Sequence, residues 1–123
     1  MRNKWIIISS LVAIAIAVLI FFLKPADQIK FNYEKWNDRS LVYSEPYIRS
    51  QMVKDVLNNI LEDGLTTDMV IKKLGPQSES DYFSDYQLRY WLGPEDGIVS
   101  IDSSWLVIKI KNERVEKYEV VTD

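Results

Sequence analysis

Apolar residues recur every three or four positions along residues 48–61, which is the spacing of an amphipathic helix. Ser44 is the predicted N-cap, with Glu45 and Pro46 in the first turn. Gly64 is the predicted stop of this helix, at or near the C′ position. The apolar positions are Ile48, Met52, Val53, Val56, Leu57, Ile60 and Leu61.

A second, shorter helix is predicted between Gly64 and Pro76. Thr66 suits its N-cap, where the hydroxyl accepts a hydrogen bond from a free N–H of the first turn. Gly75 suits the left-handed position that ends a helix, and Pro76 prevents continuation. A helix this short is not stable alone, so it must pack on the rest of the domain.

Alternating apolar and polar residues then predict three strands, over residues 86–92, 105–111 and 115–121. A loop at residues 93–97 joins the first two, and Asn112-Glu113 is the predicted hairpin turn between the last two. The predicted fold class is therefore α+β, with two helices packed on one face of a three-stranded antiparallel sheet in the order ααβββ.

The other face of that sheet is predicted to carry an unusual group of side chains. Tryptophan and arginine are favoured at protein interfaces, and an open sheet face is a natural docking surface. The alternative is that both tryptophans cover the sheet against residues 31–43. The residues of this possible protein interface are Arg89, Trp91, Trp105, Lys109 and Lys111.

Residues 5–23 form an uncharged, strongly apolar run. As a helix it would be roughly 28 Å long, close to the thickness of a bilayer core. A cleaved signal peptide is the alternative, but its apolar region is usually shorter and ends in small residues. We therefore expect residues 1–24 to be an uncleaved, single-pass anchor whose partner is the lipid bilayer.

Counting lysines and arginines on each side of the anchor does not decide its orientation. Arg2 and Lys4 are concentrated in a short tail, which favours a cytoplasmic amino terminus and an extracytoplasmic C-terminal domain at the cell membrane.

Residues 25–46 follow the anchor as a juxtamembrane segment, before the domain at 47–123. The segment is rich in aromatic residues, so part of it is expected to lie across the domain surface with Trp36 packed down. The alternative is that Phe31, Tyr33 and Trp36 sit at the membrane interface.

Composition excludes several classes of function. The chain has no cysteine and no histidine, so disulfides, thiolate zinc sites and Ser-His-Asp triads are impossible. A formal net charge of −3 without a basic patch argues against nucleic-acid binding.

Several loop carboxylates could in principle bind a hard cation. Their spacing matches no calcium loop, and solvated loop acids are the simpler interpretation. We therefore predict no catalytic residue, cofactor or metal ligand. These carboxylates are Asp81, Asp85, Glu95, Asp96 and Asp102.

Three stretches resemble the SmpA/OmlA (BamE-like) domain. Residues 64–76 resemble its "Gly-Met-Thr…Val…Leu-Gly-x-Pro" signature, residues 90–93 its "Tyr-x-Leu-Gly" strand end, and residues 106–115 its closing hairpin. The resemblance covers roughly residues 47–121. It implies a helix–helix–three-strand fold suited to binding proteins, as in outer-membrane lipoproteins that support β-barrel assembly. The chain departs from the family in having an anchor without a lipobox cysteine and a proline directly after the glycine, so the assembly role is not carried over.

The sequence thus predicts a membrane-anchored, extracytoplasmic protein-interaction domain, a non-catalytic accessory of an envelope complex with an unknown envelope protein as partner. One alternative is a small ligand- or metal-binding domain or enzyme that uses the loop carboxylates. Another is an inhibitor-like module against an envelope enzyme, because a β-lactamase inhibitory protein has a similar topology.

Overall fold

The computed structural model describes residues 28–95 and 102–123. The predicted anchor, residues 5–23, lies outside this described part, and within it no helix is both long and apolar enough to cross a bilayer. The elements in chain order are α1 (Tyr33–Trp36), α2 (Arg39–Val42), α3 (Ile48–Asp55, continuing as a π-helical turn over Val56–Ile60), α4 (Thr67–Leu74), β1 (Leu88–Pro94), β2 (Ser103–Lys111) and β3 (Arg114–Thr122).

The strands form an antiparallel sheet in the order β1-β2-β3, which confirms the predicted α+β class. Tyr90 lies opposite Leu106 on the central strand, and Leu106 lies opposite Val120 on β3. The predicted hairpin turn is also confirmed: Asn112 and Glu113 have φ angles of 52° and 65°, as a two-residue turn requires at both positions.

The start of helix α3 differs from the prediction. Ser44 does not cap it, because its hydroxyl donates instead to the carbonyl of Ser40, and the helix begins only at Ile48. Tyr47 occupies the N-cap position with a left-handed φ of 57° and makes no capping bond through its side chain. The helix ends at Ile60, short of the predicted stop at Gly64.

Helix α4 begins and ends where the local signals placed it. The Thr66 hydroxyl accepts a hydrogen bond from the Met69 N–H at 3.2 Å, as an N-cap does. The helix ends at Leu74, and Gly75 follows with a φ of +84°. Gly64, in the connection from α3, has a φ of +87°.

The core lies between the helices and one side of the sheet, which we call the helix face. This face consists of Leu88, Tyr90, Leu92, Leu106 and Ile108, and it packs against buried residues of α3 and α4. All five are almost completely buried, so burial of apolar surface is the main force that holds the layers together. The helix residues that contribute most are Met52, Val56, Val70 and Leu74.

Trp36 belongs to this same core. Its side chain is completely buried, and its ring centroid lies 6.1 Å from that of Tyr90. The expectation that Trp36 packs down on the domain is confirmed, and a membrane-interface role for this tryptophan is ruled out. Asn32 and Asp38 cap the short helices α1 and α2, which carry it into place.

Candidate functional site

The opposite side of the sheet, which we call the loop face, carries the predicted interface residues. Arg89 lies opposite Val107 and Trp91 opposite Trp105, so these side chains share one face. Lys109 lies next along β2, opposite Lys117, and Lys111 is exposed at the strand's end. The structure therefore brings the predicted group together, although not as an open surface.

Trp105 is buried, which differs from the expected exposed tryptophan. Tyr82 and Phe83 cover it, with ring centroids 6.4 and 6.5 Å from its own, and its indole N–H donates to Asp123 at 3.0 Å. Trp105 lies on the central strand, and the loop that carries Tyr82 and Phe83 packs over its ring on the loop face.

Trp91 is half-buried under the segment that follows α2. Its ring stacks on Tyr43 at 5.3 Å and meets Tyr47 edge-on at 5.9 Å. For Trp91, this matches the alternative interpretation in which residues 31–43 cover the sheet. Trp105 does not match it, because Tyr82 and Phe83 cover that ring.

The outer edge of β1 is closed by two residues of the loop after α4. Ser78 donates its N–H to the Arg89 carbonyl at 2.8 Å, and its hydroxyl accepts from the Trp91 N–H at 2.9 Å. The Gln77 side chain accepts from the Arg89 N–H at 3.2 Å. These bonds occupy backbone groups of Arg89 and Trp91 at the edge of β1, so a partner strand cannot pair with β1 there.

A cleft of about 720 Å³ lies between the α1–α2 pair, the loop after α4 and the loop face. Four of its twelve lining residues are aromatic, and six carry a polar or charged side chain. Its volume lies within the range of ligand pockets. Its lining residues are Tyr33, Asn37, Arg39, Val42, Tyr43, Arg49, Pro76, Gln77, Ser78, Glu79, Trp91 and Trp105.

Arg49 also lines this cleft, and its side chain is only 7% exposed. Its Nε donates to the Trp36 carbonyl at 2.8 Å, and its Nη1 donates to the Ser78 hydroxyl at 3.2 Å and to the Trp91 carbonyl at 3.3 Å. The guanidinium carbon lies 5.1 Å from the Trp36 ring and 5.9 Å from the Tyr90 ring. All of these partners are electrically neutral.

The electrostatic setting of Arg49 is unfavourable for a cation. It lies in the first turn of α3, where the helix dipole favours a negative charge. Burial lowers the pKa of the Arg49 guanidinium, whereas burial raises the pKa of the neighbouring Tyr90 hydroxyl, which donates to the Gly75 carbonyl at 2.8 Å. An arginine nevertheless keeps its proton, so the positive charge stays in the cleft wall.

The other charged residues of the cleft lie at its mouth. Arg39 and Glu79 are both exposed, and the Arg39 guanidinium carbon lies 5.9 Å from the Tyr43 ring. The opposite charges of Arg39 and Glu79 offset each other, so the buried positive charge of Arg49 sets the sign of the net charge of the cleft.

Arg49 is not among the functional residues predicted from the sequence. A signal was present, because Met52, Val53 and Val56 follow it at three, four and seven residues, the spacing of the apolar stripe. An arginine inside an apolar stripe indicates a buried cation.

The loop carboxylates are not assembled into a metal site. Over residues 28–95 and 102–123, no cluster of three or more acidic, histidine or cysteine side chains is placed to hold an ion. Asp96, one of the carboxylates considered, lies outside that part of the chain.

Comparison with known proteins adds no assignment. The chain matches no protein-family model, and a search of curated proteins finds no match. The resemblance to the SmpA/OmlA domain therefore stays a prediction, and the cleft is the feature of this chain that bears on function.

Proposed function

We propose that this chain is a non-enzymatic protein-interaction domain, held at the cell membrane by residues 5–23 with its folded part outside the cytoplasm. It serves as an accessory of an envelope complex, and the cleft beneath Tyr43 is where its partner binds. The predicted group Arg89, Trp91, Trp105 and Lys109 contributes to this surface mainly through Trp91.

The observation that carries the proposal is the aromatic cleft with Arg49 in its wall. Tyrosine, tryptophan and arginine are the residue types on which binding energy concentrates at protein interfaces. Tyr43 is 58% exposed although it stacks on Trp91, so it presents a rigid aromatic surface to an incoming chain. Tyr33, 44% exposed, also lines the cleft.

Photocrosslinking in intact cells tests the proposed surface. A photoreactive phenylalanine replaces Tyr43 in the full-length protein, and in a matched control it replaces Met69, which is 48% exposed on α4 and does not line the cleft. We expect one discrete adduct with an envelope protein from position 43 and none of that mass from position 69. The same adducts from both positions, or none from position 43, would contradict the proposal.

The proposed orientation has its own test. A reporter that is active only outside the cytoplasm is fused after Asp123 of the full-length chain. We expect an active reporter, and an active cytoplasmic reporter at the same position would place the domain on the other side of the membrane.

A further inference from the structure

The positive charge of Arg49 has no counter-charge inside the described part of the protein. The ion pair found there is Lys117 with Glu119, at 3.8 Å on the exposed surface of β3. Buried charges in proteins are usually paired, because removal from water is costly. Arg49 is therefore a buried cation balanced only by carbonyls, a hydroxyl and aromatic rings.

The guanidinium also has one nitrogen without a hydrogen-bond partner in the described part of the chain. Nε and Nη1 make the three bonds described above, while Nη2 has no partner among the described residues. Within the same residues, the donors that are sealed from solvent without a partner are Trp36 Nε1 and Arg89 Nε. Arg49 Nη2 is not sealed in this way, and Arg49 lines the cleft.

We propose that the unpartnered Nη2 of Arg49 donates a hydrogen bond to a chain-terminal carboxylate of the partner. This inference rests on the proposed function and names the chemistry of the group that the cleft receives. An apolar or aromatic side chain next to that carboxylate packs beside Trp91 and Tyr33.

A carboxylate fits this cleft better than a phosphate does. Nη2 is the one guanidinium nitrogen without a partner among the described residues, so it donates to a single carboxylate oxygen, and Tyr33, Tyr43 and Trp91 line the cleft beside it. A phosphate dianion needs several more donors. Arg39 and Glu79 offset each other at the mouth, so the single positive charge of Arg49 suits a monoanion.

The full-length protein in detergent micelles is titrated with N-acetyl-L-phenylalanine and, as the matched probe, with its uncharged amide. The two compounds differ only in the carboxylate. We expect the acid to bind about tenfold more tightly, the size of one charge-assisted hydrogen bond. We also expect the acid, and not the amide, to shift the Nε–Hε resonance of Arg49 in a nitrogen-15 spectrum.

Two variants locate the effect. Arg49→Gln removes the charge, and we expect the acid and the amide then to bind equally. Lys72→Gln removes an exposed positive charge from α4 that does not line the cleft, and we expect it to leave the binding of both probes unchanged. The wild-type resonance shift keeps the test decisive even if Arg49→Gln does not fold.

Equal binding of the two probes, an unshifted Arg49 resonance, or no binding of either probe overturns the carboxylate site. A crosslinked partner at position 43 together with equal probe affinities leaves the proposed function standing and removes this inference. Acid-selective binding without any crosslinked partner retains the site as a receptor for small carboxylates and removes the proposed function.

Discussion

The two faces of the sheet are closed in different ways. On the helix face, Leu106 and Ile108 are completely buried among apolar side chains of α3 and α4. On the loop face, Val107 is just as buried, yet the covering segments are held by hydrogen bonds and ring contacts. The helix face is a continuous core, whereas the loop face leaves a cleft with a charge in its wall.

This difference separates stability from recognition. Packing in an apolar core tolerates no gap, because each missing methylene costs free energy. A face closed by a few polar contacts can enclose space, and space beside a buried cation is what a ligand needs. The largest destabilisation is therefore expected on the helix face, and the largest loss of binding on the loop face.

Trp36→Ala is expected to have the largest effect on stability. The side chain is completely buried against Tyr90, and such truncations cost about 3–5 kcal/mol. Urea unfolding of the full-length protein measures the loss. The control is Tyr43→Ala, whose side chain is 58% exposed and which is expected to cost only about 0.5–1.5 kcal/mol through the loss of its stack on Trp91. Equal losses would show that residues 33–43 do not form part of the core.

Gly75→Ala tests the junction where α1 meets the end of α4. With φ at +84° and ψ at −173°, the position suits only glycine, and an added Cβ would lie 2.7 Å from the Asn37 Nδ2. Strain and crowding together predict a loss of about 2–4 kcal/mol.

Gly64→Ala is the matched control for that substitution. Its φ is +87°, but an added Cβ meets no atom within 4 Å. Backbone strain alone predicts about 1–2 kcal/mol. If both variants lose the same stability in urea unfolding, crowding against Asn37 contributes nothing.

Ser78→Ala tests the closure of the loop face. Its hydroxyl accepts from the Trp91 N–H and from Arg49 Nη1, so alanine leaves the Trp91 N–H without its acceptor and Arg49 Nη1 with only the Trp91 carbonyl. We expect a loss of about 1–3 kcal/mol in urea unfolding. Ser84→Ala, at an exposed position in the loop, is the control and should be neutral. A neutral Ser78 variant would mean that water replaces the hydroxyl at no cost.

The helix face could be predicted from the sequence because its signals are local. Thr66 and Gly75 end helix α4 by their own chemistry, and the alternation of residues 86–92 places Leu88 and Tyr90 inward. The start of α3 was missed because Ser44 bonds to Ser40, a competing local contact that spacing does not reveal.

The cleft could not be predicted in the same way. Arg49 and Trp91 are 42 residues apart, and so the bond between them depends on the completed fold. Ser78 bonds to the edge of β1 only when the loop after α4 turns back along the strand. The one local signal was the position of Arg49 within an apolar stripe, and it indicates burial without indicating what the arginine contacts.

The stacked pair Tyr43 and Trp91 offers a finer test of the loop face. A double-mutant cycle with alanine at both positions should give a coupling of about 0.5–1.5 kcal/mol, typical of aromatic pairs. Urea unfolding of the four proteins measures it. Zero coupling would mean that the contact between Tyr43 and Trp91 does not hold the end of α2 on the sheet. The cleft would then have no fixed outer wall.

The smallest expected effect is a pH response where the chain enters the helix layer. The Asp55 carboxylate accepts a hydrogen bond from the Phe31 N–H at 2.7 Å, and this bond, assisted by one from Asn59, lowers the pKa of Asp55. A lowered pKa means that the bond contributes stability at neutral pH and that this contribution is lost only as pH falls through the lowered value. The Phe31 amide shift in a nitrogen-15 spectrum should therefore titrate with a midpoint below about 3.9, the ordinary value for aspartate.

The Ile29 amide, which donates to the Gln51 carbonyl at 2.9 Å, has no titrating acceptor and is the internal control. A Phe31 midpoint at or above the ordinary value would show that this polar contact does not hold residues 29–31 on α3, and that apolar packing around Trp36 alone keeps the segment in place.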